Sequence, residues 1–168
     1  MFRLHCQPDL SETPSSATCR HLLQVGRQVL AVHATAGAVD AVLTDDDHVR
    51  RLNAAYRSRD RTTDVLAFAF EESSDDVIVG DAAVEPTVGE VYISVQRASE
   101  QADELGVTQD EELSRLLVHG LLHLVGFDHQ TEEELVAMER ETERFLAAVP
   151  VGGANRSTAL AGCLSERR

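Results

Sequence analysis

The sequence predicts an α+β fold, in which a small mixed β-sheet packs against several α-helices. Short apolar runs that alternate like strands are interspersed with longer apolar patterns at helical spacing. Only 4% of the residues are aromatic and none is Trp, so the core must consist mainly of Leu, Val and Ala, which favours helices on a modest sheet. The length of 168 residues suits one domain with a substantial core, which we place at residues 1–150.

The first part of the chain contains two strand candidates and one helix candidate. Residues 2–5 are expected to form a short edge strand, and a polar link follows. From His21 to His33 the apolar side chains recur at helical spacing, which predicts an amphipathic helix. Gly37 can end this helix, and residues 39–43 are expected to form a second strand.

The next part predicts a capped helix, a strand and a loop. Thr44 or Asp45 can cap a helix that runs through Tyr56, because either side chain can accept a hydrogen bond from the first turn. The apolar residues within 65–70 predict another strand. The stretch 71–89 is acidic and interrupted by Gly and Pro, so we expect a solvated loop there.

A further strand and two helices are expected after this loop. Residues 90–94 alternate like a strand and lead into a helix over residues 96–105. Thr108 is followed three residues later by Glu111, a spacing that resembles a capping box. It starts an apolar helix that Gly126 can close, because glycine readily adopts the left-handed conformation at a helix end.

The last helix is expected over residues 131–148, with an apolar face formed by Leu135, Met138, Phe145 and Leu146. The acidic run Glu132–Glu134 lies at its start, where negative charge complements the helix dipole. Beyond Pro150 the composition turns to Gly, Ala, Ser and Arg without periodicity. Residues 151–168 are therefore expected to form a disordered C-terminal tail.

Nothing in the sequence predicts membrane insertion or export. No apolar run approaches the roughly eighteen residues that a membrane span needs, and polar residues interrupt the N-terminus before any signal-like stretch develops. Cys6, Cys19 and Cys163 are odd in number and lack a Cys-x-x-Cys pattern, which is typical of a reducing compartment. We therefore expect a cytoplasmic protein and assign these cysteines no metal or redox role.

The charge is strongly negative but unevenly distributed. With 15 basic and 29 acidic residues the net charge is −14, which should repel nucleic acid at long range. Every basic residue is Arg, a usage that fits either a GC-rich genome or a salt-rich cytoplasm. Five arginines nevertheless fall within residues 50–61, together with a single acid, Asp60. The sign of the charge therefore reverses locally.

Three histidines lie within eleven residues at a spacing that suits a metal ion. His119 and His123 are four residues apart on a helix, so both rings can reach one cation. Gly126 can swing the chain back so that His129 supplies a third ligand. A lone histidine on an apolar helix is usually a hydrogen-bonded core residue. Three in this arrangement instead predict a catalytic zinc site, because a structural site would need a fourth protein ligand.

The predicted zinc site is compatible with more than one kind of hydrolysis. Zinc lowers the pKa of bound water to about 7 and polarises phosphoryl or carbonyl oxygens. The spacing His-x3-His-x2-Gly-x2-His is also that of the metzincin proteases, which carry a general-base Glu directly after the first His. Gly120 occupies that position here and has no side chain that could move a proton. A metalloprotease is therefore the weaker alternative.

Residues 119–129 resemble the signature of the YbeY family, bacterial rRNA maturation factors described as metal-dependent endoribonucleases. Two further blocks agree, Leu52 to Arg57 continuing through Thr63 to Phe68, and Gly89 to Ser94. With the helix that carries Met138 and Glu141, the resemblance spans about residues 38–148. The chain differs from the usual family pattern in having Thr62 for Pro, Ala67 for Ser and Glu90 for Asp. The missing Ser hydroxyl removes one hydrogen-bonding group near the expected site.

The resemblance implies specific roles for the residues of the site. His119, His123 and His129 would hold one zinc ion per chain, and Arg57 and His119 would be catalytic. The planar donor fork of Arg57 suits phosphate oxygens, although without the resemblance an exposed loop arginine would be the default interpretation. Arg59 and Arg61 are expected to add positive charge for substrate binding. Asp128 is expected to be an outer-sphere partner or a helix-end acceptor and not a ligand.

The resemblance also implies a substrate and partners. The substrate would be single-stranded RNA or an rRNA precursor, cut during rRNA maturation and ribosome quality control by zinc-bound water or by a 2′-hydroxyl of the RNA. Ribosomal small-subunit proteins or assembly factors would be partners, and neither DNA nor a membrane is expected. A second hypothesis is a ribosome-assembly factor with little catalysis, since an acidic surface suits docking onto a basic ribosomal protein.

Overall fold

Four strands and five helices make up the described part of the chain, residues 1–35, 37–70 and 86–151 of a computed structural model. Their order is β1 (Phe2–Cys6), α1 (Ser16–Val32), β2 (Ala38–Thr44), α2 (Asp46–Arg57), β3 (Val65–Ala69), β4 (Thr87–Ser94), α3 (Val95–Leu105), α4 (Gln109–Leu124) and α5 (Glu132–Ala148). The predicted α+β class is confirmed. Each predicted strand and helix is present, and the boundaries differ at several places.

The strands form one mixed sheet in the order β1-β2-β4-β3. β1 pairs with β2, and β2 with β4, in parallel, whereas β3 pairs with β4 in antiparallel fashion. The expected edge position of β1 is confirmed, and β3 lies at the opposite edge. The register of β3 and β4 pairs Val65 with Ile93 and Phe68 with Glu90. Because β3 is the last strand in the order, its outer edge has no strand partner among the described residues.

The core lies between one face of the sheet and four of the helices. Alternate residues of β2 and β4 point into it and are fully buried: Val39, Ala41, Leu43, Val91 and Ile93. α4 is the central helix, because it contacts α1, α3 and α5 as well as β3 and β4. Its buried side chains are mainly leucines, as the shortage of aromatic residues predicts.

α2 packs separately, against the opposite face of the sheet. It contacts β3 and β4, and its fully buried Val49 does not belong to the main core cluster. Leu66 of β3 is likewise buried outside that cluster. The two faces of the sheet therefore have different environments. One is covered by the main core, and the other is covered in part by a single short helix.

Local hydrogen bonds determine where the helices begin. α2 starts after Asp45, whose Oδ1 accepts from the backbone N–H of His48 at 2.6 Å. The predicted capping box of Thr108 and Glu111 is present at the start of α4. α1 begins at Ser16, five residues before the apolar pattern starts, because the Ser15 hydroxyl accepts from the backbone N–H of Thr18. Apolar periodicity alone does not detect such a cap.

The predicted start of β4 and the predicted burial of Leu135 are wrong. β4 begins at Thr87, inside the segment 71–89 that was expected to be a loop, because Thr87 and Gly89 pair with Ala38 and Val39 of β2. Leu135 was expected on the buried face of α5 but is 40% exposed, whereas Met138 is 1% exposed. Burial of α5 therefore starts only after its first turn. The rest of the predicted loop, residues 71–85, lies outside the described residues.

Cys6 and Cys19 lie close together in the structure. The Sγ atoms of Cys6 and Cys19 lie 3.8 Å apart. Burial and the neighbouring Cys19 raise the pKa of Cys6 to about 11, which keeps it a thiol near neutral pH. Among the described helices, none combines the length and the apolar character needed to cross a bilayer. Cys163 and the expected tail, apart from Val151, lie outside the described residues.

Candidate metal centre

The structure brings the three histidines of the 119–129 segment together. His119 and His123 lie on adjacent turns of α4, and their Nε2 atoms are 3.2 Å apart. The ring of His129 lies 5.6 Å from that of His119 and 5.0 Å from that of His123, between centroids. One ligand atom from each residue lies within 4.8 Å of the others. Tetrahedral zinc with Zn–N bonds of about 2.0–2.1 Å requires nitrogens roughly 3.3 Å apart, so only His129 needs a small adjustment.

The turn after α4 places His129 against the helical pair. Gly126 has φ +96°, a conformation that glycine adopts without strain. The N–H of Phe127 donates to the carbonyl of Leu122 at 3.0 Å, which folds the chain back over the helix end. Asp128 then accepts from the backbone N–H of His129 at 2.8 Å. This agrees with the expectation that Asp128 supports the turn and does not join the cluster.

A hydrogen bond sets the orientation of the His123 ring. Its Nδ1 lies 3.0 Å from the carbonyl oxygen of Phe127. A carbonyl can only accept, so Nδ1 must carry the proton, and the lone pair of the neutral ring is then on Nε2. That nitrogen faces Nε2 of His119. The carbonyl of Phe127 therefore orients this imidazole in the way that outer-sphere acceptors orient metal-binding histidines.

The electrostatics of the centre favour the neutral forms of His119 and His123. Burial is the largest cause that lowers the pKa of His119, and together with repulsion from His123 and His129 it brings that pKa to about 4. Burial and His129 also lower the pKa of His123. Histidine must be neutral to bind a metal ion, so the pair is in the required state at neutral pH. Among the described residues no fourth His, Cys or acidic side chain joins this cluster.

The lowered pKa of His119 predicts how the stability of the metal-free protein depends on pH. A folded-state pKa of about 4, below the unfolded value of 6.5, means that the folded state disfavours protonation. The stabilisation associated with neutral His119 is present above pH 6.5 and is lost as the pH falls towards 4. Urea unfolding of chelator-treated protein at pH 7 and pH 4.5 should show this loss. It should be smaller in His119→Ala, and an identical loss in both proteins would contradict the assignment.

The three imidazoles line a cavity of about 680 Å³ between α4, β3 and the end of α2. β3 contributes the residues on its α4-facing side, Val65, Ala67 and Ala69. Arg57, the last residue of α2, also lines the cavity, and its Nη2 lies 3.4 Å from the carbonyl oxygen of Ala67. Its positive charge contributes to the lowered pKa of His123. The structure thus places a guanidinium beside the histidine cluster.

Arg59 and Arg61 do not line this cavity. Their main chains are held by Asn53, whose carbonyl accepts from the N–H of Arg59 and whose Nδ2 donates to the carbonyl of Arg61 at 2.8 Å. Both residues are exposed. Their expected contribution of positive charge to substrate binding stays a prediction. Ala67 stands where the family pattern has Ser, and its backbone carbonyl oxygen contacts Arg57.

Asp64 is a residue of the cavity that sequence reasoning did not identify as functional. It precedes β3, lines the cavity and is half-buried. Burial raises the pKa of Asp64, but hydrogen bonds from Gln101 and from the N–H of Val65 outweigh this effect, so its pKa is lowered and it stays ionised. Its negative charge partly offsets the lowering of the His119 pKa. An acidic residue at the start of an edge strand was the signal that could have indicated it.

Gly120 is required by the contact between α4 and the sheet. A Cβ atom at this position would lie 2.6 Å from Cγ1 of Val91 and 3.1 Å from Cγ2 of Val65. There is consequently no room for the general-base Glu that a metzincin carries after its first zinc-binding His. The structure adds a steric reason to the chemical one against the metalloprotease alternative.

A family model and individual relatives of this chain carry the same description. A family model described as "Endoribonuclease YbeY" matches residues 5–150. "Endoribonuclease YbeY" of Rhodopseudomonas palustris is 37% identical over 147 residues, which cover 86% of this chain and 75% of that protein. The protein of the same name from Geobacillus thermodenitrificans is 41% identical over 128 residues, with 74% and 82% covered.

A solved structure supports the fold independently. The solution structure of a protein from Thermotoga maritima matches with a TM-score of 0.56 and covers 95% of this chain and all of that one. At 23% sequence identity this similarity concerns the arrangement of strands and helices. It agrees with the α+β architecture described above.

Proposed function

This chain belongs to the YbeY family of endoribonucleases, and we propose that it cuts single-stranded RNA at a zinc centre formed by His119, His123 and His129. The observation that carries the proposal is the convergence of three imidazoles, within 4.8 Å of one another, on a cavity that also contains Arg57. We propose that residues 1–150 form this enzyme as one domain. The natural context would be rRNA maturation and ribosome quality control in the cytoplasm, beside small-subunit proteins or assembly factors.

The donor set fits zinc. Three neutral nitrogen ligands and an open position are typical of catalytic zinc sites. When bound, zinc would supply a Lewis acid for a phosphate oxygen and lower the pKa of a water molecule. The chain itself favours the neutral form of His119 and His123, and it orients His123 through the Phe127 carbonyl.

The other polar side chains of the cavity have distinct roles in this proposal. Arg57 would bind a non-bridging phosphate oxygen and stabilise the negative charge that develops there, because a guanidinium presents paired donors to a phosphate. Asp64 would keep negative charge beside His119, which limits how far the cavity becomes positive once a divalent ion is bound. The attacking group is either water or a 2′-hydroxyl of the RNA.

Cleavage of a defined oligoribonucleotide tests the proposed function. Highly purified protein should cut a single-stranded RNA, lose this activity with a chelator and regain it with added zinc. Attack by a 2′-hydroxyl leaves a cyclic phosphate end, whereas attack by water does not, so the product ends distinguish the two nucleophiles. Cleavage that persists in a protein shown to be metal-free would contradict the proposal.

The second candidate function is a ribosome-assembly factor that docks onto basic proteins and cleaves little. The net charge of −14 supports it, because such a surface repels RNA and attracts basic partners. The same cleavage assay separates the two candidates. An assembly factor of this kind would bind pre-ribosomal particles while the purified chain leaves RNA intact.

Replacing Arg57 by Ala should lower kcat/KM for RNA cleavage by roughly 10²-fold while zinc stays bound, because the lost group stabilises transition-state charge and ligates no metal. Arg57→Lys should recover only part of the activity, since an ammonium lacks the planar fork. Metal content and cleavage kinetics check both effects. Arg144→Ala is the matched control, because Arg144 is an exposed arginine that does not line the cavity. Equal cleavage kinetics in Arg57→Ala and Arg144→Ala would contradict a role of Arg57 in cleavage.

A further inference from the structure

A row of four rings crosses the face of the sheet opposite the main core. We call it the aromatic row; it consists of His48 and Tyr56 of α2, Phe68 of β3 and Tyr92 of β4. Neighbouring ring centroids are 5.1 Å apart for Tyr56 and Phe68, 6.1 Å for Phe68 and Tyr92, and 5.8 Å for Tyr92 and His48. Both tyrosines of the chain belong to this row.

The strand alternation puts these rings outside the main core. Phe68 follows Ala67, which lines the cavity, and Tyr92 follows Val91, which is fully buried beneath α4. Successive residues of a strand point to opposite faces, so Phe68 and Tyr92 point away from α4. Both are half-buried, and Tyr56 is 70% exposed. Tyr56 therefore contributes little to the core and presents most of its ring to solvent.

The aromatic row starts directly beside the candidate metal centre. Tyr56 immediately precedes Arg57 in α2, and Arg57 contacts the Ala67 carbonyl at the β3 edge. Phe68, the next residue of β3, contacts Tyr56. The cavity thus lies on one face of β3 and the aromatic row on the other, with Arg57 between them. A nucleic-acid strand whose phosphate lies at Arg57 can place a neighbouring base next to Tyr56.

We propose that the aromatic row is a stacking platform for bases of single-stranded RNA that flank the cleaved phosphodiester. This inference rests on the proposed function and adds to it the means by which single strands are chosen. Unpaired bases can stack on aromatic side chains, whereas bases inside a duplex already stack on one another. The platform therefore selects single strands without reading their sequence.

The charge of the chain supports stacking as a major source of affinity. Proteins that bind nucleic acid usually gain most of their affinity by releasing counterions from the phosphates, which requires many basic residues. This chain has a net charge of −14, and among the arginines of the described residues only Arg57 lines the cavity. Affinity that comes from ring contacts does not need a positive surface. The part of the affinity that comes from stacking should depend only weakly on salt concentration.

The test compares Tyr56→Ala with Tyr56→Phe in the zinc-loaded full-length chain. The ligand is a fluorescently labelled single-stranded oligoribonucleotide, and the dissociation constant is measured by anisotropy. Loss of one stacked base is expected to raise the Kd roughly five- to 150-fold in Tyr56→Ala. Tyr56→Phe keeps the ring and should bind like the wild type. Leu105→Ala, which truncates another exposed apolar side chain, should also leave the Kd unchanged.

A second set of ligands distinguishes stacking from an indirect effect. A series of oligoribonucleotides, each with one abasic position, is bound to the wild type and to Tyr56→Ala. One position should weaken wild-type binding and have no further effect in the variant, because the same contact is already lost. If every abasic position weakens both proteins equally, or if Tyr56→Phe binds as poorly as Tyr56→Ala, the platform is refuted.

The outcomes also separate this inference from the proposed function. Chelator-sensitive cleavage with equal RNA binding by wild type and Tyr56→Ala would leave the enzyme assignment intact and overturn the platform. A Kd effect of the expected size in a protein that cuts no RNA would support the platform and overturn the enzyme assignment. If the aromatic row instead binds a protein partner, the first of these outcomes is expected.

Discussion

Replacing His119 by Ala is expected to remove zinc from the protein and to lower RNA cleavage by roughly a thousandfold or more, because a tridentate site becomes bidentate and the Lewis acid is lost. The domain should stay folded. His119 is only half-buried, and in the metal-free protein its pKa of about 4 shows that the site disfavours the charged ring. The variant removes that group without disturbing the leucines of α4.

Metal analysis, circular dichroism and a cleavage assay on the same preparation test this prediction. His5→Ala is the matched control, since the His5 side chain is 56% exposed and paired with Asp40 away from the cavity. It should keep both zinc and activity. Stoichiometric zinc and wild-type cleavage in His119→Ala would remove the basis for the metal centre. Loss of the helical circular dichroism signal would indicate a folding defect in His119→Ala. Zinc content and cleavage would then be measured in His123→Ala instead.

Replacing Gly120 by Ala is expected to destabilise the protein and to weaken zinc binding together. The added Cβ would lie 2.6 Å from Cγ1 of Val91, and forcing a methyl group into a packed core costs about 1–3 kcal/mol. Alanine is a better helix former than glycine by about 1 kcal/mol, which offsets part of this cost. We expect α4 to relieve the clash in part by moving away from β4, because the clashing Val91 is itself fully buried. That movement would also displace the adjacent His119.

Urea unfolding and zinc affinity measure the two effects of Gly120→Ala. Val91→Ala added to the same chain removes the clashing methyl group, so the double variant should lose less than the sum of the single losses. Gly106→Ala is the control for backbone strain, because Gly106 has φ +67° and its added Cβ would meet no atom within 4 Å. It should cost about 1 kcal/mol and leave zinc affinity unchanged. A Gly120→Ala variant as stable as the wild type would contradict the packing argument.

The helices and strands were largely predictable because their signals are local. Apolar periodicity indicated each element, and short polar patterns such as Thr108 with Glu111 indicated where helices begin. The errors occurred where a distant segment decides the outcome. β4 extends to Thr87 because β2 offers backbone partners there, and the sequence around Thr87 alone predicts a loop. Leu135 has the right spacing for burial, but no neighbouring element covers the first turn of α5 among the described residues.

The site was predictable only where its residues are close together in the sequence. His119, His123 and His129 lie within one helix end and the turn that follows, so helical geometry and a glycine suffice to bring them together. Asp64 and Arg57 reach the same cavity from β3 and α2, more than fifty residues earlier in the chain. No local sequence pattern indicates that Asp64 and Arg57 lie beside the histidine cluster. Arg57 was identified through its family resemblance, and Asp64 was not identified as functional.

The sequence by itself determined the α+β class, the cluster of three imidazoles and the exclusion of a metzincin base by Gly120, because each depends on residue types and spacings within a few turns of chain. Only the tertiary structure decided which face of the sheet each helix covers. That choice puts the cavity on one side of β3 and the aromatic row on the other. The physical reason is that strand pairing and helix packing join residues far apart in sequence, whose contacts depend on the whole chain folding at once.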